Sequence, residues 1–264
     1  MQLAWHERTR TCVNGDKVAI YTANGRRVAN HFGKSIVIEL QVQLAWNRLL
    51  ASFEEQAEVL MRTAFSTVVR EAGDLSAGVF DVKGEMLAQA VTGTPGHVNS
   101  MAEAVKKFLV KYPVSKLKSG DVLLTNDPWD GTGHLNDFTV VTPVFQLSEI
   151  IGFFASTSHI ADVGGRGFGP DANDLFEEGL RVPISYLMQK GDPNQTLMDL
   201  IKANVRDPLV AEGDLYSLIA CNEAGSIELL EMLNDLGLRD LGDLGRIILD
   251  RSRSAMREEI NKLG

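Results

Sequence analysis

The fold of this 264-residue chain is decided by two apolar stretches, Phe138-Thr-Val-Val-Thr-Pro-Val-Phe145 and Ile150-Ile-Gly-Phe-Phe-Ala-Ser-Thr157. Both are short, rich in β-branched and aromatic residues, and bounded by turn residues, which is typical of buried β-strands. A third stretch, Asp121-Val-Leu-Leu-Thr-Asn126, has the same character. The sequence therefore predicts a buried β-sheet in the middle of the chain.

The turns next to these strands carry the side chains best suited to chemistry. Ahead of the strand at 138–145 lies Asn126-Asp-Pro-Trp-Asp-Gly-Thr-Gly-His-Leu-Asn-Asp137. After the strand at 150–157 lies Ser158-His-Ile-Ala-Asp-Val-Gly-Gly165. Loops at strand ends commonly hold binding and catalytic residues. The chain has five histidines, so finding His134 and His159 in these two turns is informative.

A metal site is one interpretation of these turns. His134 and Asp137 are three residues apart, so a single turn can bring both side chains to one ion. His159 follows the second of the two predicted strands that come after Asp137, and a sheet can bring it to the same edge as Asp137. Two imidazoles and a carboxylate suit a divalent transition metal with open positions for water or substrate. Taken alone, each histidine is more often a hydrogen-bonded structural residue, and spacing by itself does not establish a metal.

Two other residues near these turns have open interpretations. Asp162 follows His159 by three residues, so it can orient that imidazole as a hydrogen-bond acceptor or cap the glycine turn behind it. His97 ends a predicted loop, Thr92-Gly-Thr-Pro-Gly-His97. A structural role and a site role fit His97 equally well.

Helical patterns flank the central strands. Residues 36–69 contain no glycine or proline and carry apolar residues at helical spacing, which predicts one long helix or two in tandem. Ser100 and Glu103 match a capping box, which predicts a helix from Met101 to Tyr112. Further helices are predicted at about 197–206, 212–234 and 240–262.

The predicted fold class is α/β in the mixed α+β sense, with a central β region flanked by long helices and a helical C-terminal part. Residues 1–35 are expected to be an N-terminal appendage, in which Asn14-Gly15 favours a small hairpin. Residues 36–264 are expected to form the main domain. Within it we expect a β-rich core holding the candidate site at about 70–190 and a helical region at about 195–264.

Composition narrows the class of protein. The net charge of −9 and the lack of a basic cluster exclude a nucleic-acid surface, which needs a basic face. No apolar run approaches the roughly 20 residues of a membrane span. Cys12 and Cys221 are far apart and form no CxxC pair, so a reducing cytoplasm is the simplest expectation. No Walker or GxGxxG pattern occurs, so the chain is expected to have no ATP or other nucleotide cofactor site of its own.

Further short segments extend the set of informative residues. They are Arg62-Thr-Ala-Phe-Ser66, Asp74-Leu-Ser-Ala-Gly-Val-Phe-Asp81, Ala88-Gln-Ala90, His97-Val-Asn-Ser-Met101, Thr142-Pro-Val-Phe145 and Glu177-Glu-Gly-Leu-Arg-Val-Pro183. Together with the two turns quoted above, these segments resemble the hydantoinase B family from about residue 38 to the C-terminus. That family includes B-type subunits of N-methylhydantoinase and 5-oxoprolinase, the caprolactamase subunit and the acetone carboxylase alpha subunit. Its members are usually longer than this chain.

The resemblance implies a metal-dependent subunit of an ATP-dependent amidohydrolase that opens a cyclic amide, such as a hydantoin or 5-oxoproline. In the family, an ATP-using A-type partner subunit phosphorylates a carbonyl oxygen of the substrate, and the B-type subunit completes the reaction at a metal. A hetero-oligomer is therefore expected. The alternatives are an acetone-carboxylase-like alpha subunit, which carboxylates a ketone, and a non-catalytic assembly subunit.

Carried onto this sequence, the resemblance implies His134, Asp137 and His159 as metal ligands and Asp74 as an acidic fourth ligand. Manganese is the expected metal, and zinc or iron fits the same ligands. Asp162 is expected to orient His159, and His97 to bind substrate or shuttle protons. Many members carry a second histidine at the position of Ser158, which leaves the exact substrate chemistry open.

Overall fold

The computed structural model describes residues 10–14, 17–21, 27–90, 93–167 and 169–263. The chain forms two compact units, Met1–Asn47 and Arg48–Gly264. The first unit holds a three-stranded antiparallel sheet of β1 (Arg10–Asn14), β2 (Lys17–Tyr21) and β3 (Arg27–Gly33). Asn14 pairs with Lys17, which confirms the predicted hairpin. The expected domain boundary at residue 35 stays a prediction.

The second unit alternates helices with the strands of one sheet. Helix α1 (Lys34–Thr63) leads into it from the first unit. The elements that follow are α2 (Thr67–Arg70), β4 (Leu75–Phe80), β5 (Met86–Gln89), α3 (Pro95–Lys111), β6 (Val122–Thr125), β7 (Asp137–Gln146), β8 (Glu149–His159), α4 (Leu175–Glu178), β9 (Ser185–Gln189), β10 (Asp192–Pro193), α5 (Gln195–Asn204), α6 (Pro208–Leu236) and α7 (Gly242–Lys262). The strands form one antiparallel seven-stranded sheet in the order β10-β9-β6-β7-β8-β4-β5. This arrangement confirms the predicted mixed class.

The centre of the sheet is buried on both faces. Along β8, Phe153 and Ala155 belong to a core cluster that includes Phe108 of α3. The next residue, Ser156, donates a hydrogen bond to the carbonyl of Leu218 in α6, at 3.1 Å. Because successive side chains of a strand point to opposite faces, α3 and α6 cover opposite faces of the sheet. Such double covering explains why β7 and β8 show continuous apolar runs rather than an alternating pattern.

Helix α6 packs very closely on the sheet. A Cβ added at Gly225 would lie 2.4 Å from a ring atom of Phe154, so only glycine permits this approach. Asn222 donates hydrogen bonds to the carbonyl of Val140 and to Oγ1 of Thr142, both at 3.2 Å. Helix α6 is therefore joined to β7 and β8, the strands that carry Asp137 and His159.

Helix α3 begins earlier than the sequence pattern predicts. It starts at Pro95 with Thr94 at the N-cap position, whereas Ser100 lies inside the helix and donates to the carbonyl of Gly96. The predicted start at Met101 is wrong because proline is well suited to the first helical position, where its fixed φ and missing N–H carry no penalty. As a consequence, His97 lies in the first turn of a helix and not in a loop.

The C-terminal helices α5, α6 and α7 confirm the three predicted helices, with ends shifted by a few residues. Gly237 ends α6 in the left-handed conformation with φ 64°, as glycines at helix C-termini commonly do. None of the helices in the described ranges has both the length and the apolar character that a membrane crossing requires.

Candidate metal centre

The register of β7 and β8 places two of the predicted ligands side by side. Asp137 is the first residue of β7 and pairs directly with His159, the last residue of β8. His134 lies one turn before β7, and its carbonyl accepts a hydrogen bond from the backbone N–H of Asp137 at 3.2 Å. A local turn and a strand pairing therefore bring all three side chains to one end of the sheet.

The ligand atoms of these three residues converge. Nε2 of His134 lies 2.8 Å from Oδ1 of Asp137, and Nδ1 of His159 lies 3.4 Å from the same oxygen. The two imidazole rings are 5.1 Å apart between centroids. One atom from each residue can be chosen so that all three lie within 4.8 Å of one another. Among the described residues, this is the group of three that has the spacing of a metal site.

The donor set fits a metal ion. Zinc and similar ions lie about 2.0–2.2 Å from nitrogen and oxygen ligands, which puts neighbouring ligand atoms about 3–3.5 Å apart. The two contacts of Oδ1 are close to that spacing. Oδ1 belongs to a carboxylate whose side chain is 1% exposed, and the two ring nitrogens beside it can themselves be metal ligands. A buried anion needs a positive partner, and a cation held by these three atoms would supply one.

Neighbouring groups within this cluster shift the pKa values of Asp137 and His134. Burial raises the pKa of Asp137, but His134, His159 and His97 outweigh burial and hold that pKa well below its ordinary value of 3.8. Contact with Asp137 raises the pKa of His134 above 6.5 against a smaller opposite effect of burial, and Asp74 and Glu178 add to the rise. Asp137 is therefore an anion near neutral pH, as a metal ligand must be.

Asp74 and His97 lie next to the three converging residues. Oδ2 of Asp74 is 3.9 Å from Nδ1 of His159, and Oδ1 is 3.9 Å from Nε2 of His97. Thr94 donates to Oδ1 of Asp74 at 2.6 Å. His97 is 4% exposed, and its Nε2 lies 2.9 Å from Oδ2 of Asp137. The role of Asp74 as a fourth ligand therefore stays a prediction, and the imidazole of His97 contacts Asp137 rather than open space.

Asp162 has partners other than the one expected. Its carboxylate accepts hydrogen bonds from the backbone N–H of Gly164 at 3.0 Å and from the guanidinium of Arg206 at 2.7 Å, and also from the backbone N–H of Arg206. The carboxylates that lie near Nδ1 of His159 are those of Asp137 and Asp74. Of the two roles suggested for Asp162, the structure therefore shows capping of the glycine turn. The guanidinium of Arg206 pairs with the negative charge of the Asp162 carboxylate.

Comparisons with known proteins identify the family of this chain. The sequence model of the Hydantoinase B/oxoprolinase family matches residues 39–264. The chain belongs to this family. Its match to a putative B-type subunit of the D-/L-hydantoinase of a Pseudomonas species has 28% identity over 231 residues, covering 85% of this chain and 39% of that protein. The chain spans about two fifths of the length of the first curated relatives it matches.

Two solved structures resemble the hydantoinase B fold seen here. The crystal structure of the ATP-dependent caprolactamase from Pseudomonas jessenii superposes with a TM-score of 0.76 at 27% identity, covering 83% of this chain and 38% of that one. A nucleotide-free structure of acetone carboxylase superposes with a TM-score of 0.70 at 20% identity, covering 80% of this chain and 28% of that one. The second likeness concerns the fold alone.

Sequence reasoning missed two residues near the site of this hydantoinase B family member. Oγ1 of Thr132 lies 3.4 Å from Oδ2 of Asp137. Glu178 lies close enough to His134 to contribute to the raised pKa of that imidazole. Both belong to segments already singled out in the sequence, but Thr132 is a neutral side chain and Glu178 is far from His134 along the chain. Only the folded chain shows that the segment around Glu178 returns to the start of β7.

Proposed function

We propose that this chain is the metal-binding B-type part of an ATP-dependent enzyme that opens a cyclic amide. The observation that carries the proposal is the convergence of His134, Asp137 and His159 at the adjoining ends of β7 and β8. Membership of the family and the names of two relatives, a putative hydantoinase and an ATP-dependent caprolactamase, indicate the substrate class.

Each residue of the cluster has a task in this proposal. Asp137 offers a buried anionic oxygen, and the two imidazoles supply neutral nitrogen ligands. The side chain of His134 is 38% exposed, whereas those of His159 and Asp137 are 7% and 1% exposed. Substrate therefore approaches from the side of His134. A bound divalent ion, which we expect to be manganese, with zinc or iron as alternatives, would polarise the amide carbonyl or lower the pKa of a water.

In this proposal, ATP is bound and used by another chain. No nucleotide motif occurs in the sequence, so ATP is used by a partner of the A type. Phosphorylation of the carbonyl oxygen by the partner would convert a poor leaving oxygen into a good one. The two chains would then form a hetero-oligomer, in keeping with the name of the Pseudomonas relative, which describes it as one subunit of a hydantoinase.

Reconstitution tests the proposal. The purified chain and a hydantoinase A-type subunit are mixed with ATP and a panel of hydantoins, 5-oxoproline and caprolactam, and ring opening is followed by chromatography. We expect ATP-dependent ring opening that requires both chains, and a fall of at least about a hundredfold with His134→Ala, because a metal ligand is lost. Arg246→Ala, at an exposed position on α7, is the matched control and should leave the rate unchanged.

Two other results would point away from this function. Turnover of a ketone that requires bicarbonate would favour carboxylation of the acetone carboxylase type. Formation of a complex whose activity is unaffected by His134→Ala, with no metal bound to this chain, would favour an assembly role. Ring opening that needs no bicarbonate and is lost with His134→Ala is the outcome that separates the amidohydrolase from both alternatives.

A further inference from the structure

His97 occupies an unusual place for a titratable residue. It lies in the first turn of α3, where its backbone N–H donates to the carbonyl of Thr94 at 3.0 Å. Thr94 is in turn joined to the start of β4, because its own N–H donates to the carbonyl of Leu75 at 2.9 Å. The helix start is therefore anchored to the sheet, and the buried imidazole of His97 has a defined position.

The two ring nitrogens of His97 have very different surroundings. Its Nε2 lies 2.9 Å from Oδ2 of Asp137. Its Nδ1 is buried and makes no hydrogen bond among the described residues. An ionised carboxylate can only accept hydrogen bonds, so Nε2 carries the proton in this contact. Nδ1 is then the unprotonated ring nitrogen, which can only accept a hydrogen bond.

Asp137 consequently uses its two oxygens differently. Oδ2 faces Nε2 of His97 and, more weakly, Oγ1 of Thr132 at 3.4 Å. Oδ1 faces the ring nitrogens of His134 and His159, at 2.8 and 3.4 Å. A carboxylate held by one oxygen cannot rotate freely, so the other oxygen keeps its direction.

We propose that His97 is a positioning residue that holds Asp137 through Oδ2, so that a metal is bound through Oδ1 alone. This inference rests on the proposed function, because it assigns His97 a task at the same metal. It replaces the expectation that His97 itself binds substrate or shuttles protons. An imidazole that is 4% exposed and already engaged with a ligand has no open face for substrate.

Three variants of His97 separate this role from simple packing. In His97→Gln the side-chain amide nitrogen can occupy the place of Nε2 and donate to Oδ2. His97→Leu keeps a similar volume but has no donor. His97→Asn places its amide near the position of Nδ1, too short to reach Oδ2, and serves as the second variant if the leucine protein does not fold.

The readout is metal affinity, with Co²⁺ as a spectroscopic probe and Mn²⁺ as a competitor, on the purified chain. We expect His97→Leu and His97→Asn to weaken metal binding by about 10–100-fold, because a residue that orients a ligand is lost. The metal affinity of His97→Gln should stay within about threefold of that of the unchanged protein. The visible absorption of bound Co²⁺ should weaken in His97→Leu, because a carboxylate that can turn and bind through both oxygens raises the coordination number. Thermal unfolding of the metal-free proteins reports any loss of packing.

The outcomes are distinct. Equal affinity of His97→Leu and the unchanged protein would overturn the positioning role while leaving the metal site intact. Equal losses in the glutamine and leucine proteins, together with lower unfolding temperatures, would show that His97 acts through packing. If the unchanged protein binds no metal, the positioning role and the proposed metal centre fail together. Thr132→Val should weaken binding less than His97→Leu, since the bond it removes is longer.

Discussion

Two buried polar clusters in the second unit differ in what they contain. The first joins α1 to α6: Gln56 donates to Oδ1 of Asn222 at 2.9 Å, and Asn222 donates onward to β7. It consists of neutral amides next to Cys221, whose thiol pKa burial raises to about 12. The second cluster is the candidate metal centre, which consists of imidazoles around an ionised carboxylate. We call the first the amide cluster.

The difference shows how structural and chemical polar groups can be told apart. In the amide cluster the side chain of Asn222 accepts one hydrogen bond and donates two, so it stabilises the packing of α6. In the candidate metal centre, ring nitrogens of His134 and His159 converge with a carboxylate oxygen of Asp137. Atoms of these types that converge can bind one cation together.

The largest expected effect is on the metal centre. Asp137→Asn replaces the anionic ligand by a neutral amide, so metal affinity should fall by more than about a hundredfold, which corresponds to about 2.7 kcal/mol. Metal content measured by mass spectrometry should fall from near one equivalent to background. Circular dichroism should show a folded chain. Full retention of metal in this variant would contradict the assignment of Asp137 as a ligand.

The next effect is on the amide cluster. Asn222→Ala leaves the amide of Gln56 and the carbonyl of Val140 buried without their partner, so the free energy of unfolding should fall by about 2 kcal/mol. Urea unfolding of the metal-free chain measures this. Metal affinity should stay unchanged, which makes this variant the counterpart of Asp137→Asn. A loss of metal here would mean that the two clusters are coupled through β7.

The smallest effect is a pH dependence that belongs to the metal centre alone. The folded pKa of His134 is raised above 6.5, so its proton stabilises the metal-free fold fully below pH 6.5, and this contribution is lost as pH rises through the raised value. A metal needs the unprotonated ring. Binding should therefore weaken as pH falls through the raised pKa, by up to about tenfold per unit from this residue.

Titration of metal affinity between pH 5.5 and 8 measures that dependence. Glu178→Gln removes one of the charges that raise the pKa of His134, so the same loss of binding should occur at a slightly lower pH. The amide cluster has no group that titrates in this range, and Asn222→Ala should follow the curve of the unchanged protein. An affinity independent of pH would argue against His134 as a ligand.

The strands that carry the site were predictable because their signal is local. Runs of β-branched and aromatic residues mark β7 and β8, and the spacing of His134 and Asp137 follows from one turn. The start of α3 was not predicted correctly although its signal is also local. Pro95 at the first helical position outweighed the capping pattern at Ser100, and this shift moved His97 from a loop to a helix.

By itself the sequence determined the mixed fold class, the strands, the C-terminal helices and the family, since apolar periodicity and ordered motifs lie along the chain. Only the tertiary structure decided that Asp137 pairs with His159, that His97 contacts Oδ2 of Asp137, and that Asp162 pairs with Arg206. Asp162 and Arg206 are 44 residues apart, and His97 and Asp137 are 40 apart. Strand register and helix docking decide such contacts, and both result from burial of the whole core rather than from any local pattern.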